Sequence, residues 1–252
     1  MNSNLTFNCF GLVIHGYGKP EILAYVRDAV RQGRQTMIVT ANPENLIFAK
    51  THPEYWNVLR QADLRTVDSF GLVCAGLLHS VKPHRTPGVE LADYLCEEAE
   101  KNGWRVGLIG GAEGIADKAA WSLRQRYPQL NVVAEAGGRV DADGNGDEAN
   151  DEAIFRLTQS APDILLVALS FPGQEAWIAK HISDIPSVKV AIGVGGTLDY
   201  WSGKIKRAPS WMRKLGLEWL YRLILEPRRW KRMFTAVIVF PLMAFFDRFR
   251  IN

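Results

Sequence analysis

Asp68 is the residue whose type and position most directly suggest chemistry. It follows the apolar residues 64–67, which predict a strand, and it precedes Phe70 and Gly71. A carboxylate at the end of a strand in an open α/β sheet faces a ligand cleft, where it can take a proton from an attacking hydroxyl group. Asp68 and Ser69 are also good helix caps. The residues alone therefore predict either a general base or a helix cap at position 68.

Two glycine-rich turns suit a nucleotide diphosphate, because glycines at the end of a buried strand let backbone N–H groups approach phosphate closely. One turn follows the apolar residues 188–192 and the other follows residues 105–109. The spacing within residues 107–114 is not G-x-G-x-x-G, and no acidic residue follows at the distance expected for a ribose contact, which disfavours a dehydrogenase. The glycines predicted to contact a substrate are Gly110, Gly111, Gly195 and Gly196.

Short polar side chains follow several of the predicted strands. Thr40 and Asn42 stand at a strand-to-helix turn, Gln174 opens a helix after residues 164–169, and Asp199 follows the second glycine turn. Such hydroxyl, amide and carboxylate groups can bind sugar, phosphate or ribose oxygens. Each is also an ordinary turn or capping residue. Both roles stay open on the residues alone.

Positive charge is concentrated near the end of the chain. Residues 207–232 hold eight basic and two acidic residues, a net charge of +6, against +3 for the whole chain. Arginine binds phosphate bidentately and keeps its charge, so it can stabilise a diphosphate leaving group without a metal ion. The alternative is a solvated or lipid-facing basic stripe. The arginines predicted to bind diphosphate are Arg85, Arg222, Arg229 and Arg232.

No metal ion or other cofactor is predicted. Residues 141–152 fit the pattern of an EF-hand calcium loop, but a strand-like segment precedes them where a helix is required, so we expect a solvated loop. Cys9, Cys74 and Cys96 show no metal-ligand spacing and no disulfide framework, which favours a reducing cytoplasm. The first residues lack the pattern of a secretory signal. A cytoplasmic protein is therefore expected.

The order of the predicted elements indicates an α/β fold. Short apolar segments typical of buried strands alternate with helical patterns. This order predicts a Rossmann-like, mainly parallel sheet with helices on both faces. Ligands bind beyond the carboxyl ends of the strands in such sheets, so we expect the polar motifs at one rim. The predicted strands are residues 11–14, 36–40, 64–67, 105–109, 131–134, 164–169 and 188–192.

The alternation stops near Arg207, where a basic, tryptophan-rich helical tail begins. We predict a core at residues 1–208 and a helical, membrane-associating appendage at residues 209–252. Residues 233–246 carry no charge and have basic neighbours on both sides. This run is too short to cross a bilayer but suits an interfacial anchor. Packing of the same run into the protein's own core, or against a partner, is the alternative.

Six motifs, taken in order, resemble the WecG/TagA/CpsF family of glycosyltransferases over roughly residues 36–232. Three places depart from the family pattern: Ser69 stands where Gly is usual, Gly173 where Lys is usual, and residues 138–140 (G-R-V) where a Gly-Tyr-Phe element is usual. The motifs are residues 40–44 (T-A-N-P-E), 67–71 (V-D-S-F-G), 85–91 (R-T-P-G-V-E-L), 110–114 (G-G-A-E-G), 172–175 (P-G-Q-E) and the segment 193–232.

The resemblance implies a fold of the GT-E type and an inverting hexosyltransferase. The donor would be a UDP-sugar, the sugar an N-acetylmannosamine-type unit, and the acceptor an undecaprenyl-diphosphate-linked saccharide at the inner face of the cell membrane. Asp68 would be the base and Arg222, Arg229 and Arg232 would close over the diphosphate. Thr40, Asn42 and Gln174 would contact substrate.

Two other functions remain open at this point. A membrane-associated scaffold with an inactive nucleotide cleft would not depend on Asp68. A nucleic-acid-binding protein would show salt-sensitive binding, but the uncharged residues 233–246 have no place in it. The favoured interpretation therefore includes no nucleic acid partner, and it is compatible with a homo-oligomer.

Overall fold

Eight strands form one sheet in the part of the chain that the structure describes. The structure is a computed structural model that describes residues 3–225, 227 and 230–250, without the side chains of residues 3, 214, 222, 231, 232, 249 and 250. The strand order is β1-β2-β4-β3-β8-β7-β5-β6, with β1 antiparallel to β2 and all other neighbours parallel. The strands are β1 (Thr6–Cys9), β2 (Leu12–His15), β3 (Thr36–Ala41), β4 (Leu64–Val67), β5 (Arg105–Gly110), β6 (Asn131–Glu135), β7 (Ile164–Ala168) and β8 (Val190–Gly193).

Helices cover both faces of this sheet. The central strands β7 and β8 are buried along their whole length, as parallel strands between two helical layers must be. The predicted α/β fold is therefore confirmed. One face carries α1 (Lys19–Gln32), α5 (Gly88–Asn102), α6 (Ile115–Arg126) and α9 (Thr197–Trp201). The other carries α2 (Pro43–Thr51), α3 (Pro53–Gln61), α4 (Phe70–Leu78), α7 (Glu148–Ser160) and α8 (Gly173–His181).

We refer to the rim between the carboxyl ends of β3 and β8 as the crevice. These strands are neighbours, but the helices that follow them, α2 and α9, pack on opposite faces of the sheet. The two connections therefore diverge from one another. In open α/β sheets, ligands bind at such a point.

The tail continues in α10 (Ser210–Lys214), α11 (Glu218–Leu225), α12 (Trp230–Phe234), a π-helical turn (Thr235–Val239) and α13 (Phe240–Arg250). Phe240 is fully buried in the core on the α4 side of the sheet, and its ring meets that of Phe10 edge to face at 5.7 Å. Asp247 accepts a hydrogen bond from the Phe10 amide at 2.7 Å. One face of α13 thus packs on the protein itself, as the alternative interpretation of residues 233–246 predicts.

Large apolar side chains remain exposed on the same tail, among them Leu242, Phe245 and Phe246. Among the described residues, no helix has the length and apolar character needed to cross a membrane. The division of the chain at residue 209 stays a prediction.

The loop with the EF-hand pattern is held by hydrogen bonds within the protein. Asp141 Oδ1 accepts from the amides of Asp143 and Asn145 at 2.9 and 2.8 Å. Glu152 lies on α7 and pairs with Arg156 at 3.2 Å. No group of three or more His, Cys, Asp or Glu side chains within the described residues is arranged to hold a metal ion.

Candidate functional site

Asp68 follows β4 directly and binds the start of α5. Its Oδ1 accepts a hydrogen bond from the Gly88 amide at 2.8 Å, and no described residue donates to Oδ2. Ser69 is the cap of α4, where its hydroxyl accepts from the Leu72 amide at 3.4 Å. Of the two residues that could cap a helix at this turn, Ser69 caps α4. The Asp68 carboxylate instead lies between two elements at the rim of the sheet.

Burial raises the pKa of Asp68 from 3.8 to about 6, because the ionised carboxylate is poorly solvated there. The Gly88 N–H and the positive charges of Arg85 and Arg207 favour the ionised form and oppose this rise, while the negative charge of Glu218 adds to it. The resulting pKa suits a general base that works near neutral pH.

Arg207 links the first turn of α5 to the tail. Its Nη2 lies 3.0 Å from Glu90 Oε1 and its Nε lies 3.2 Å from Glu218 Oε1. Arg213 adds a longer contact of 3.6 Å to Glu90, and Arg85 Nη2 donates to the Arg213 carbonyl at 3.1 Å. These contacts seat α10 and α11 beside the helix end that binds Asp68.

Thr40 and Asn42 lie at the end of β3, where both bind backbone groups of the protein. The Thr40 hydroxyl donates to the Gly193 carbonyl at 3.1 Å, which ties β3 to β8 across the crevice. Asn42 Oδ1 accepts from the amides of Glu44 and Asn45 at 2.9 and 3.1 Å and so caps α2. The predicted substrate contact of Asn42 would therefore have to use its Nδ2 group.

Gly110 and Gly111 pack closely against the end of β7. A Cβ atom at Gly110, whose φ is 114°, would overlap the Ala168 carbonyl. The Gly111 amide donates to that same carbonyl at 3.0 Å. Contact with the neighbouring strand accounts for Gly110. At Gly111, whose φ is 77°, a Cβ atom would overlap the Ile115 side chain of α6, and the Gly111 amide already has a partner.

The glycine turn after β8 is held by Gln174. Gln174 Oε1 accepts a hydrogen bond from the Gly195 amide at 2.9 Å. Gly195 is exposed with φ 53°, and no atom lies within 4 Å of where its Cβ would be. Gly196 caps α9, and the Asp199 carboxylate on that helix binds Lys204 at 3.0 Å. The turn therefore lies open to solvent beside the crevice.

The chain matches the family model described as "Glycosyl transferase WecG/TagA/CpsF family" over residues 7–252. The protein belongs to this glycosyltransferase family. Two similar proteins come from Staphylococcus aureus strains MRSA252 and N315, and both are named N-acetylglucosaminyldiphosphoundecaprenol N-acetyl-beta-D-mannosaminyltransferase. Each is 37% identical over 199 residues, which cover 78% of this chain and 73% of the relative.

Membership of the WecG/TagA/CpsF family confirms the predicted resemblance and the predicted enzyme class, a hexosyltransferase. The match extends beyond residues 36–232, to which the motifs pointed. Neither the family match nor the similar proteins support the scaffold or the nucleic-acid-binding protein.

Three predicted arginines of this glycosyltransferase fall on the tail. The backbone of Arg222 lies on α11 and that of Arg232 on α12, but their side chains are outside the described part of the structure. Arg229 lies outside the described residues altogether. Their binding of diphosphate stays a prediction.

Sequence reasoning did not identify Glu90, Arg207 or Glu218 as parts of the site. Glu90 lies within the motif 85–91, and Arg207 and Glu218 were counted only as charges of the tail. The available signal was Glu90, an acidic residue in a motif that also holds a predicted diphosphate-binding arginine. Its role could be recognised only from the structure, which places the tail beside α5.

Proposed function

We propose that this glycosyltransferase moves an N-acetylmannosamine-type sugar from a UDP-sugar to a polyprenyl-diphosphate-linked saccharide, with inversion at the sugar C1. The observation that carries the proposal is Asp68, a partly buried carboxylate at the carboxyl edge of a parallel sheet, with a pKa raised to about 6 by burial. The names of the relatives supply the sugar and the lipid-linked N-acetylglucosamine acceptor.

In this mechanism Asp68 takes the proton of the acceptor hydroxyl. The acceptor oxygen forms a bond to C1 of the donor sugar while the bond from C1 to the diphosphate oxygen breaks, and the leaving UDP keeps that electron pair. Arg85, which lies near enough to affect the pKa of Asp68, would neutralise the diphosphate together with Arg222, Arg229 and Arg232. Charge stabilisation by arginines assigns no role to a metal ion.

The donor would lie over the crevice between β3 and β8. Thr40 binds the Gly193 carbonyl and Gln174 binds the Gly195 amide, and the exposed face of this turn would approach the diphosphate. Asp199 would accept hydrogen bonds from the ribose hydroxyls in exchange for Lys204. Asn42, Gly110, Gly111 and Gly196 would shape the rim.

The acid limb of the pH profile should report the Asp68 base. The value of kcat/KM is expected to fall below about pH 6, where Asp68 becomes protonated and cannot accept a proton. Removing the negative charge in Glu218→Gln should move this limb to lower pH by a fraction of a unit. Removing the positive charge in Arg207→Gln should move it to higher pH. Limbs that coincide in all three proteins would contradict the assignment.

We propose further that the tail binds the cytoplasmic face of the cell membrane, where a polyprenyl-linked acceptor lies. The large side chains of Trp211, Trp230, Phe234, Leu242 and Phe246 are exposed on it. Aromatic side chains favour the headgroup boundary, and basic neighbours are attracted by anionic lipids. The basic side chains of residues 207–232 make the segment suitable for such a surface.

Binding to vesicles of phosphatidylglycerol and phosphatidylethanolamine tests this role. The double variant Phe245→Ser, Phe246→Ser should lower the affinity for vesicles, measured by sedimentation, about tenfold. The reason is that two apolar side chains that would move from water to the lipid surface are replaced by polar ones. Phe155→Ser, at a phenylalanine on α7 that is as exposed as Phe246, is the control. Equal loss in both variants would argue against a membrane role of the tail.

The function itself is tested by UDP release from the full-length protein in detergent, with UDP-N-acetylmannosamine as donor. The acceptor is polyprenyl-diphosphate-N-acetylglucosamine, and a chelator is present throughout. Release that depends on the acceptor supports the proposal. Absence of release, in preparations that remain folded, rejects this pair of substrates.

A further inference from the structure

A buried chain of polar side chains runs from α3 to the glycine turn after β8. Tyr55 Oη donates to Glu175 Oε2 at 3.0 Å, and Gln174 Nε2 donates to Glu175 Oε1 at 2.8 Å. Gln174 Oε1 in turn accepts from the Gly195 amide at 2.9 Å. Glu175 is 3% exposed and Gln174 is 6% exposed. Each oxygen of the buried carboxylate therefore has a donor from the protein.

The direction of this chain is fixed by the chemistry of Glu175. An ionised carboxylate only accepts hydrogen bonds, whereas a primary amide donates at one end and accepts at the other. Because Glu175 engages the NH₂ end of Gln174, the carbonyl end of that amide must face Gly195. The opposite orientation would place two donors against each other. Burial raises the pKa of Glu175, and the bonds from Gln174 and Tyr55 oppose that rise by stabilising the ionised form.

Packing leaves the Gln174 amide little freedom to move. A Cβ atom at Gly193 would overlap Gln174 Nε2, so the amide lies directly on the backbone at the end of β8. The Thr40 hydroxyl donates to the Gly193 carbonyl at 3.1 Å. The turn is thus held by two side-chain hydrogen bonds, and Gly195 within it is exposed.

We propose that Glu175 is a positioning residue for the donor. It orients the Gln174 amide, which fixes the turn formed by residues 193–196 in the conformation that receives the nucleotide diphosphate. This inference rests on the proposed function, because it takes a nucleotide diphosphate as the ligand of the turn. Glu175 itself touches no substrate.

The variant Glu175→Gln tests the proposal, because it keeps the shape of the side chain and removes its acceptor-only character. We expect the Kd for UDP, measured by calorimetry, to rise about tenfold, because the Gln174 amide is no longer held in one orientation. This change corresponds to about 1.4 kcal/mol. The KM for the acceptor should stay unchanged. Glu98→Gln changes another buried glutamate that pairs with Arg27 away from the crevice, and it should leave the Kd for UDP within about twofold.

A spectroscopic measurement separates positioning from general destabilisation. In protein labelled with ¹⁵N-glycine, the Gly195 amide proton should shift upfield in Glu175→Gln as its hydrogen bond to Gln174 weakens. The double variant Gln174→Glu, Glu175→Gln again matches every donor with an acceptor along the chain, so the Gly195 resonance should return toward its wild-type position. If the single variant does not fold, the Gly195 resonance of the double variant is compared directly with that of the wild-type protein.

The outcomes distinguish the inference from the proposed function. If the wild-type protein does not bind UDP, the proposed donor is wrong and the inference falls with it. If the wild-type protein binds UDP and Glu175→Gln binds it equally well, the inference alone is wrong. A Gly195 resonance that stays in place in the single variant, or that the double variant does not restore, also overturns it.

Discussion

Replacing Asp68 by asparagine is expected to slow sugar transfer by about 10²–10⁴-fold, the usual contribution of a general base. The amide keeps the size of the carboxylate, and its oxygen can still accept from the Gly88 amide, so the start of α5 should keep its place. What is lost is the group that takes the proton of the acceptor hydroxyl. The measurement is UDP release at saturating donor and acceptor.

The same variant should be at least as stable as the wild-type protein at pH 7. The pKa of Asp68 is about 6 in the folded protein against 3.8 as its ordinary value, so the folded state disfavours the ionised form. This cost is absent below about pH 4, grows between pH 4 and pH 6, and is complete above pH 6. Thermal unfolding at pH 7 and at pH 3.5 should show the difference between the two proteins shrinking at the lower pH.

Asp93→Asn provides the matched control. Asp93 is also on the α5 side of the molecule, and burial raises its pKa as well, but its carboxylate pairs with Arg126 of α6 at 2.8 Å. Transfer by this variant should stay within about threefold of wild type. Equal losses in the two variants, or full activity of Asp68→Asn, would show that Asp68 is not the base.

The placement of Asp68 was predictable from the sequence because it depends on local patterns. The apolar residues of β4, β7 and β8 identify buried strands, and parallel order brings the ends of such strands to one rim. Asp68 immediately follows β4, and that is enough to place it at the rim. The same reasoning placed Thr40, Gln174 and Gly195 near one another.

The partners of these residues could not be predicted, because the contacts join distant parts of the chain. Asp68 binds an amide 20 residues away, and Arg207 meets Glu90 across 117 residues. A helix cap has the same local sequence pattern whether or not the capping residue also contacts a substrate. The sequence therefore could not tell which of these roles Asn42 has. The strand β1 has four residues and α9 has five, too few for a periodic pattern to be recognised.

Residues 233–246 have one packed and one exposed face, and the sequence could not predict which residues lie on which face, because this too depends on contacts with distant parts of the chain. All residues of this segment are uncharged, so periodicity does not say which of them meets the core. The fold decides, because α13 places Phe240 and Ala244 against α4 and β1 while Leu242 and Phe246 face outward. Length and composition therefore left both interpretations open. The packed face of the helix fits packing into the core, and the exposed apolar face is free for the lipid contact that we propose.

Phe240→Ala is expected to lower the free energy of unfolding by about 3–5 kcal/mol, the usual cost of removing a fully buried phenylalanine. Phe240 has no exposed surface and packs against Phe10, so its loss leaves a cavity between the tail and the core. Phe246→Ala, on the same helix at 66% exposure, should change the unfolding free energy by less than about 0.5 kcal/mol. Chemical denaturation of both variants measures these differences.

The two phenylalanines also separate the two roles of the tail. If α13 anchors the core and binds lipid with its other face, Phe240→Ala should weaken folding, whereas Phe246→Ala should weaken vesicle binding without a change in stability. A tail that formed an independent unit would give a small stability effect at both positions. That outcome would also mean that a protein ending near Pro209 keeps its full stability, whereas the packing of Phe240 predicts that such a truncated protein is destabilised as well as inactive.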